Sequence, residues 1–172
     1  MSTRSIPVLS KEKEEFELPL SVVEYSGLLK EMTESLGIDL HYDQDPIERI
    51  ELANCSTFCL QQTINFCQFY AGIPSRENIR TKEGMEDYDI QIKKFNEMFW
   101  EEIEDRITEV LLCANYLDIQ IMVDLLCNFI AEAIRGNTAE EMRQFFNVEN
   151  DYTEEELERV KRENDWSSKN ME

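Results

Sequence analysis

Chemistry in a protein needs a few residue types at workable spacing, and this chain is short of them. Its one histidine, His41, sits in the acidic stretch 39–45 that Pro46 closes. With no second imidazole as partner, it reads as the tip of a solvated loop rather than a general base. The five cysteines are Cys55, Cys59, Cys67, Cys113 and Cys127. The first three fall at helical spacing among apolar neighbours, and Cys113 and Cys127 lie among aliphatics. None has the adjacent histidine or cation that would favour a thiolate. They read as small core residues in a reducing compartment, and their odd number argues against a disulfide framework. Cys55 and Cys59, four apart, could face one metal ion, but no second cysteine pair or histidine completes a tetrahedral set. The five glycines build no phosphate-cradling loop, and neither G-x-S-x-G nor H-E-x-x-H occurs. Carboxylate pairs abound, yet among 37 acidic residues they carry little information. The expectation is a protein with no catalytic residues, metal or cofactor.

Charge narrows the partners. Seventeen basic residues leave a formal net charge of −20 over 172 residues. Such a surface repels phosphate backbones and anionic membranes, so neither nucleic acid nor membrane is an expected partner. An acidic surface keeps a protein soluble, and it also steers in a basic protein partner. A hydrophobic fraction of 42% supports a packed core, and the length suits one domain plus an appendage. The N-terminus lacks the apolar core of a signal peptide and no segment qualifies as a membrane span, so cytoplasm and nucleus are the expected locations.

The elements that would carry any function follow from periodicity. The longest apolar-rich segment is 111–135. Within it Ile119, Met122, Val123, Leu126, Cys127, Phe129, Ile130, Ala133 and Ile134 mark a wide helix face, the expected central core helix. Asp118 is placed to cap its start, and Arg135 and Gly136 its end. Before it, Ile6, Val8 and Leu9, then Phe16 and Leu18, predict a hairpin, with Pro7 favouring an edge strand or incomplete pairing. The stretch 21–36 predicts a helical region with Ser26 as cap, Leu29, Met32 and Leu36 on one face, and Gly37 as the stop. A brief strand is expected within 47–52. A helix capped by Ser56 or Asn54 follows, facing Cys59, Leu60, Thr63, Ile64 and Cys67 to the core. Residues 73–89 carry Pro74 and Gly84 and no clear apolar period, and are expected as a long flexible insertion. Phe95, Met98, Phe99, Trp100 and Ile103 form one amphipathic segment and Ile107, Val110, Leu111 and Ala114 another, which Asn115 and Tyr116 end. Small sheet beside helical hairpins makes the class α+β.

After Gly136 the texture changes. Thr138 with Glu141, and Thr153 with Glu156, are capping boxes opening two short, charged helices, with the ordered chain expected to end near residues 164–166. Met142, Phe145 and Phe146 fall on one side of the first, and Phe145, Phe146, Val148 and Trp166 together exceed what two narrow stripes can hide. They fold back on the core or face a partner, as helix-in-groove interfaces do.

Two runs carry a specific resemblance. CANYLD (113–118), and the stretch 128–167 with G-x-T-x-E-E, F-N-[IV]-x-N-D-[FY]-T-x-E-E and E-N-x-W, are similar to the Skp family, the adaptors of SCF-type (Skp–cullin–F-box) ubiquitin ligases. The resemblance covers the last 60 or so residues well and the N-terminal part more loosely, through the segment from Ser26 to Met32, Leu36-Gly37 and Phe66-Cys67. It implies a BTB/POZ α+β domain over about 1–135, with the flexible insertion at about 73–89, and appended F-box-binding helices at 136–172. It implies a non-enzymatic adaptor that brings an F-box substrate receptor to a cullin, whose RING partner is reached only indirectly. It implies a cullin interface at Asn115 and Tyr116, and an F-box interface at Met142, Phe145, Phe146, Val148, Asn150, Asp151 and Trp166. The buried middle of 111–135 would be a rigid spacer between the two. Departures concentrate in the BTB half. Phe95-Asn-Glu-Met-Phe99 replaces a W-D-x-x-F, Thr108 stands where an aromatic is usual, Pro7 interrupts the first strand, and Lys13 replaces a hairpin glycine. Residues 73–89 lack the family's acidic, proline-rich character, and Ala139 replaces a proline. The chain therefore resembles a divergent paralogue. Two other roles fit the same residues: a chaperone or decoy for F-box proteins that no longer binds cullin, and a self-assembling BTB scaffold. A homodimer of the isolated chain is also possible.

Overall fold

A computed structural model describes residues 5–38 and 47–168, and only the backbone at 161 and 164–168. His41 and the acidic loop around it lie outside the described residues, as do residues 169–172. The chain divides into two compact units, Met1–Ala133 and Ile134–Glu172.

The first unit is α+β. Strands β1 (Ser5–Leu9) and β2 (Glu15–Pro19) form the expected antiparallel hairpin, with Ile6 opposite Leu18 and Val8 opposite Phe16. Period-2 alternation buries Ile6, Val8 and Leu18 on one face. Lys13 takes the left-handed turn position at φ 64°, where its N–H donates to the carbonyl of Ser10. Strand β3 (Ile50–Glu51) lies parallel to β1, giving the order β2-β1-β3. Pro7 is therefore not on an edge strand. The sheet tolerates its missing N–H because β3 has two residues and begins opposite Val8, so nothing in the described ladder faces Pro7 on that side.

The described part of the first unit holds six α-helices: α1 (Leu20–Tyr25), α2 (Gly27–Ser35), α3 (Thr57–Gly72), α4 (Lys82–Ile103), α5 (Ile107–Tyr116) and α6 (Gln120–Ala133).

 Two short 3-10 turns, Arg76–Asn78 and Glu104–Arg106, lead from α3 to α4 and from α4 to α5. Helix α3 is the centre, packed against α1 and α5, and α5 packs on α6. Cys59, Leu60, Thr63, Ile64, Phe66 and Cys67 of α3 are buried, the face expected from its spacing, and Ser56 caps it by accepting from the Cys59 N–H. The hairpin is tied to the same helix end. Glu12 accepts from the Thr57 N–H at 2.7 Å, and that bond holds its carboxyl below the usual range. The ring of Phe66 meets Tyr70, Phe95 and Phe99 at 4.5–6.1 Å, and Phe69 stacks on Phe95 at 3.8 Å, so aromatic contacts join α3 to α4.

Four expectations need correction. The segment 73–89 is not a long stretch without regular structure: α4 begins at Lys82, with the Thr81 hydroxyl accepting from the Gly84 N–H. The periodicity was masked by Gly84 and the surrounding charges, but Met85, Tyr88, Ile92 and Phe95 continue backward the stripe that ends in Phe99 and Ile103. Second, Asp118 does not begin α6. It sits at φ 53° and ends α5: its N–H donates to the Asn115 carbonyl and the Ile119 N–H to that of Ala114, a Schellman motif. Gly37 ends α2 in the same way. Third, α6 is a core helix only in part. Ile119, Met122 and Leu126 are fully buried, whereas Cys127 is exposed and Phe129, Ile130 and Ala133 are half-buried. An apolar composition fixes which face can be buried, not how far along the helix a neighbour covers it. Fourth, Leu36 is exposed, because α2 has already ended at Ser35.

The second unit contains α7 (Ala139–Phe145) and α8 (Glu154–Ser168). Helix α8 continues past residues 164–166, where the chain was expected to stop. Both capping boxes are formed. Glu141 accepts from the Thr138 N–H at 2.7 Å and Glu156 from that of Thr153 at 2.9 Å, and each threonine hydroxyl accepts from the N–H of its glutamate. Those bonds hold both carboxyls below the ordinary glutamate range.

Candidate functional site

Among the described residues no histidine, cysteine and carboxylate cluster could hold a metal. No described helix is long and apolar enough to cross a membrane. Three of the thiols gather where α3 meets α5. Cys55, Cys59 and Cys113 are buried, and thiol hydrogen bonds together with burial push Cys59 and Cys113 well above the usual thiol range. Burial alone pushes Cys67 up to about 12. Cys59, Cys67 and Cys113 thus stay protonated at neutral pH and are poor nucleophiles. The described residues also present two exposed apolar surfaces.

The first surface is the end of α5. Ile107, Val110, Cys113, Ala114 and Leu117 turn inward and are buried. The opposite stripe presents Thr108, Leu112 and Asn115, with Tyr116 half-buried beside them. Leu112, at 69% exposed, is the most exposed of the large hydrophobic residues described. Sequence reasoning missed it by placing Leu111 on the core face and not following the complementary positions, which lie four residues on either side of Leu112 at Thr108 and Tyr116. Exposed carboxylates at Glu101, Glu102, Glu104 and Asp105 lie just before this helix. Arg106, the cation among them, is engaged: it pairs with Glu109 at 2.6 Å and lies over the Phe58 ring at 4.2 Å. A Ser56 hydroxyl bond, with Arg106 adding to it, holds the Glu109 carboxyl below its ordinary range. The face is thus apolar at its centre and acidic at its margin.

The elbow between α5 and α6 is held from below by the start of α2. The buried Ser26 hydroxyl donates to the Leu117 carbonyl at 2.5 Å while accepting from the Leu29 N–H at 3.1 Å. The Gly27 N–H donates to the Asp118 carbonyl at 3.0 Å. The Asp118 carboxylate lies against Gly27, in the space that a Cβ there would need. Its negative charge therefore favours the N-terminus of α2, not that of α6.

The second surface is in the other unit. Helix α7 ends at Phe146, and Asn147 at φ 52° closes a Schellman motif in which the Val148 N–H donates to the Arg143 carbonyl at 2.8 Å. The turn brings Phe145 and Phe146 edge to face at 5.0 Å. Met142 and Phe145 are half-buried, Phe146 is 37% exposed and Val148 57% exposed. Asn150 and Asp151 are exposed, and the Asn150 side chain accepts from the Tyr152 N–H at 3.3 Å. Tyr152, 48% exposed under the Arg143 guanidinium at 5.7 Å, joins this group and was missed. Its signal was the last position of the F-N-[IV]-x-N-D-[FY] run. Trp166 lies within α8, its side chain outside the described residues. Asn115 and Tyr116 thus sit together in one unit, and Met142, Phe145, Phe146, Val148, Asn150 and Asp151 in the other.

Two apolar surfaces are thus exposed, one on each compact unit, an arrangement suited to protein interaction. Comparison with known proteins places it more closely. The model of the Skp1 family, dimerisation domain, matches residues 121–167. The E3 ubiquitin ligase complex SCF subunit sconC of Emericella nidulans is 31% identical over 167 residues, 97% of this chain and 98% of that protein. The sconC proteins of Arthroderma benhamiae and Arthroderma otae are each 31% identical over 169 residues, 96% of both chains. The chain belongs to the Skp1 family.

Proposed function

We propose that this protein is a non-enzymatic adaptor of an SCF-type E3 ubiquitin ligase, bridging a cullin scaffold to F-box substrate receptors. The observation that carries the reading is the pairing of two exposed apolar surfaces, one on each unit, in a chain whose relatives are named as SCF complex subunits. The end of α5, with Asn115 and Tyr116, is the cullin side. Met142, Phe145, Phe146, Val148, Asn150, Asp151 and Trp166 form the F-box side. An adaptor with no chemistry of its own acts by raising the local concentration of substrate at the ligase, and the RING protein is reached through the cullin. Cytoplasm and nucleus are the proposed locations.

The test is binding of the purified chain to a cullin N-terminal domain. Tyr116→Lys is expected to abolish cullin binding and leave F-box capture intact; a variant that still binds cullin like the parent removes this surface from the reading. A second reading keeps the F-box side and drops the cullin, making the protein a chaperone or decoy. It rests on Thr108, an exposed polar residue at the start of the α5 stripe. Failure of the unaltered chain to bind any cullin, with F-box binding retained, would favour it.

A further inference from the structure

The stripe that ends in Asn115 and Tyr116 stops at a carbonyl that α5 cannot satisfy by itself. The C-terminal carbonyls of a helix have no partner within it. The Schellman bonds take up those of Ala114 and Asn115. Just past the helix, the Leu117 and Asp118 carbonyls are met from α2: the Ser26 hydroxyl donates to Leu117, with the Leu28 N–H at a longer 3.4 Å, and the Gly27 N–H donates to Asp118. Ser26 is fully buried, and so is Leu117, so water has no ready access to replace that bond. The same hydroxyl oxygen caps α2, and the Ser26 N–H closes α1 by donating to the Val22 and Val23 carbonyls. One small residue therefore ends one helix with its backbone N–H, and with its side chain starts a second and anchors the end of a third.

We infer that Ser26 is the positioning residue of the cullin-docking elbow: its hydroxyl, bonded to the Leu117 carbonyl, holds the end of α5 in the arrangement that presents Asn115 and Tyr116. The inference rests on the adaptor reading for its partner, though not for its geometry. A docking turn fixed before binding spends none of its affinity on being ordered, and one that is correctly arranged for only a fraction of the time binds more weakly by that fraction. Ser26 touches no partner in this scheme. It acts through the backbone of Leu117, where its bond is the short one and the Leu28 N–H adds a longer contact at 3.4 Å, and the Gly27 N–H supports it at Asp118.

Thr33 is the matched control. It lies on the same helix, is 5% exposed, and donates its hydroxyl hydrogen within α2, to the Leu29 and Lys30 carbonyls, with no bond to the elbow. Ser26→Ala, Ser26→Thr and Thr33→Val should be compared by titration calorimetry against a cullin N-terminal domain and an F-box domain. Amide hydrogen exchange at Asp118 and Ile119 supplies a reading that needs no partner. Ser26→Ala is expected to bind cullin about tenfold more weakly, to exchange faster at both amides, and to bind the F-box domain as before. Ser26→Thr, which keeps the hydroxyl, should restore both readings, and Thr33→Val should leave both unchanged even where it lowers the melting temperature. Should Ser26→Ala not fold, Ser26→Gly replaces it, since glycine is tolerated at an N-cap. Unchanged exchange at Asp118 and Ile119 in the hydroxyl-less variant overturns the inference, as does a Thr33→Val that weakens cullin binding equally. If the unaltered chain does not bind cullin, the adaptor reading fails while the exchange experiment still decides the role of Ser26.

Discussion

The two units reach order by different routes. In the first, Phe66, Leu60, Ile103, Val110 and Met122 are removed from water almost entirely, and the elements that carry them come from distant parts of the sequence. In the second, no described side chain is buried. Its order rests on local devices: two capping boxes, a Schellman turn at Asn147, the Arg143–Glu140 pair at 3.3 Å and the Phe145–Phe146 contact. Burial is worth several kcal/mol per large side chain, whereas a cap is worth about one. The difference suits the proposed division of labour. A docking scaffold gains from rigidity, and a unit that keeps its apolar residues at the surface leaves them for a partner to bury.

The contrast can be broken at its strong end first. Phe66→Ala should cost about 3–5 kcal/mol, because it deletes the ring that joins α3 to α4; denaturant titration of the first unit checks this. A loss below about 1 kcal/mol would mean that the aromatic cluster is not the core. Phe146→Ala should cost about 1 kcal/mol of stability with the loss of the Phe145 contact, far less than Phe66→Ala, and weaken F-box capture by about 2 kcal/mol, a hot-spot amount. Thr153→Ala should cost about 1 kcal/mol, felt as faster amide exchange in the first turn of α8 and not in α3. Lys13→Gly should stabilise the hairpin by about 0.5 kcal/mol. It relieves a left-handed non-glycine residue and gives back part of that gain in chain entropy and in the exposed Lys13–Glu51 pair.

Acidification sharpens the same contrast. The Glu141 and Glu156 carboxyls are held below the ordinary glutamate value of 4.5 by the threonines they cap. A lowered folded-state pKa means that the contribution is complete above 4.5 and disappears as pH falls through the lowered values. Helix signal from α7 and the start of α8 should therefore decline in that window, and Thr138→Ala with Thr153→Ala should remove the dependence. The Cys59, Cys67 and Cys113 thiols, all pushed up, add no opposing trend there.

How much of this was legible depended on the range of the interaction involved. The hairpin, the caps at Ser26, Ser56, Thr138 and Thr153, and the stop at Gly37 are local events, and residue type with spacing marks them directly. The run from 113 to 118 and the stretch after 128 carried the family resemblance, and the full-length relatives support it. The start of α4 was hidden because glycine and charge diluted a stripe that only Phe66, Phe69 and Tyr70 across the helix interface make visible. The role of Asp118 was misplaced for a related reason. A carboxylate between two helices can cap the one ahead or end the one behind, and the choice was made by α2, whose Gly27 leaves room for it. The exposure of Leu112 and Cys127 likewise depends on which neighbours arrive, which no pattern within one helix reports.

The central claim is that two separable surfaces dock two different partners. The most direct test measures binding of the unaltered chain, Tyr116→Lys and Phe146→Ala to a cullin N-terminal domain and to an F-box domain in parallel. The account predicts crossed losses: Tyr116→Lys loses cullin and keeps the F-box, and Phe146→Ala weakens the F-box and keeps cullin. Parallel losses, in which each substitution weakens both partners alike, would contradict it.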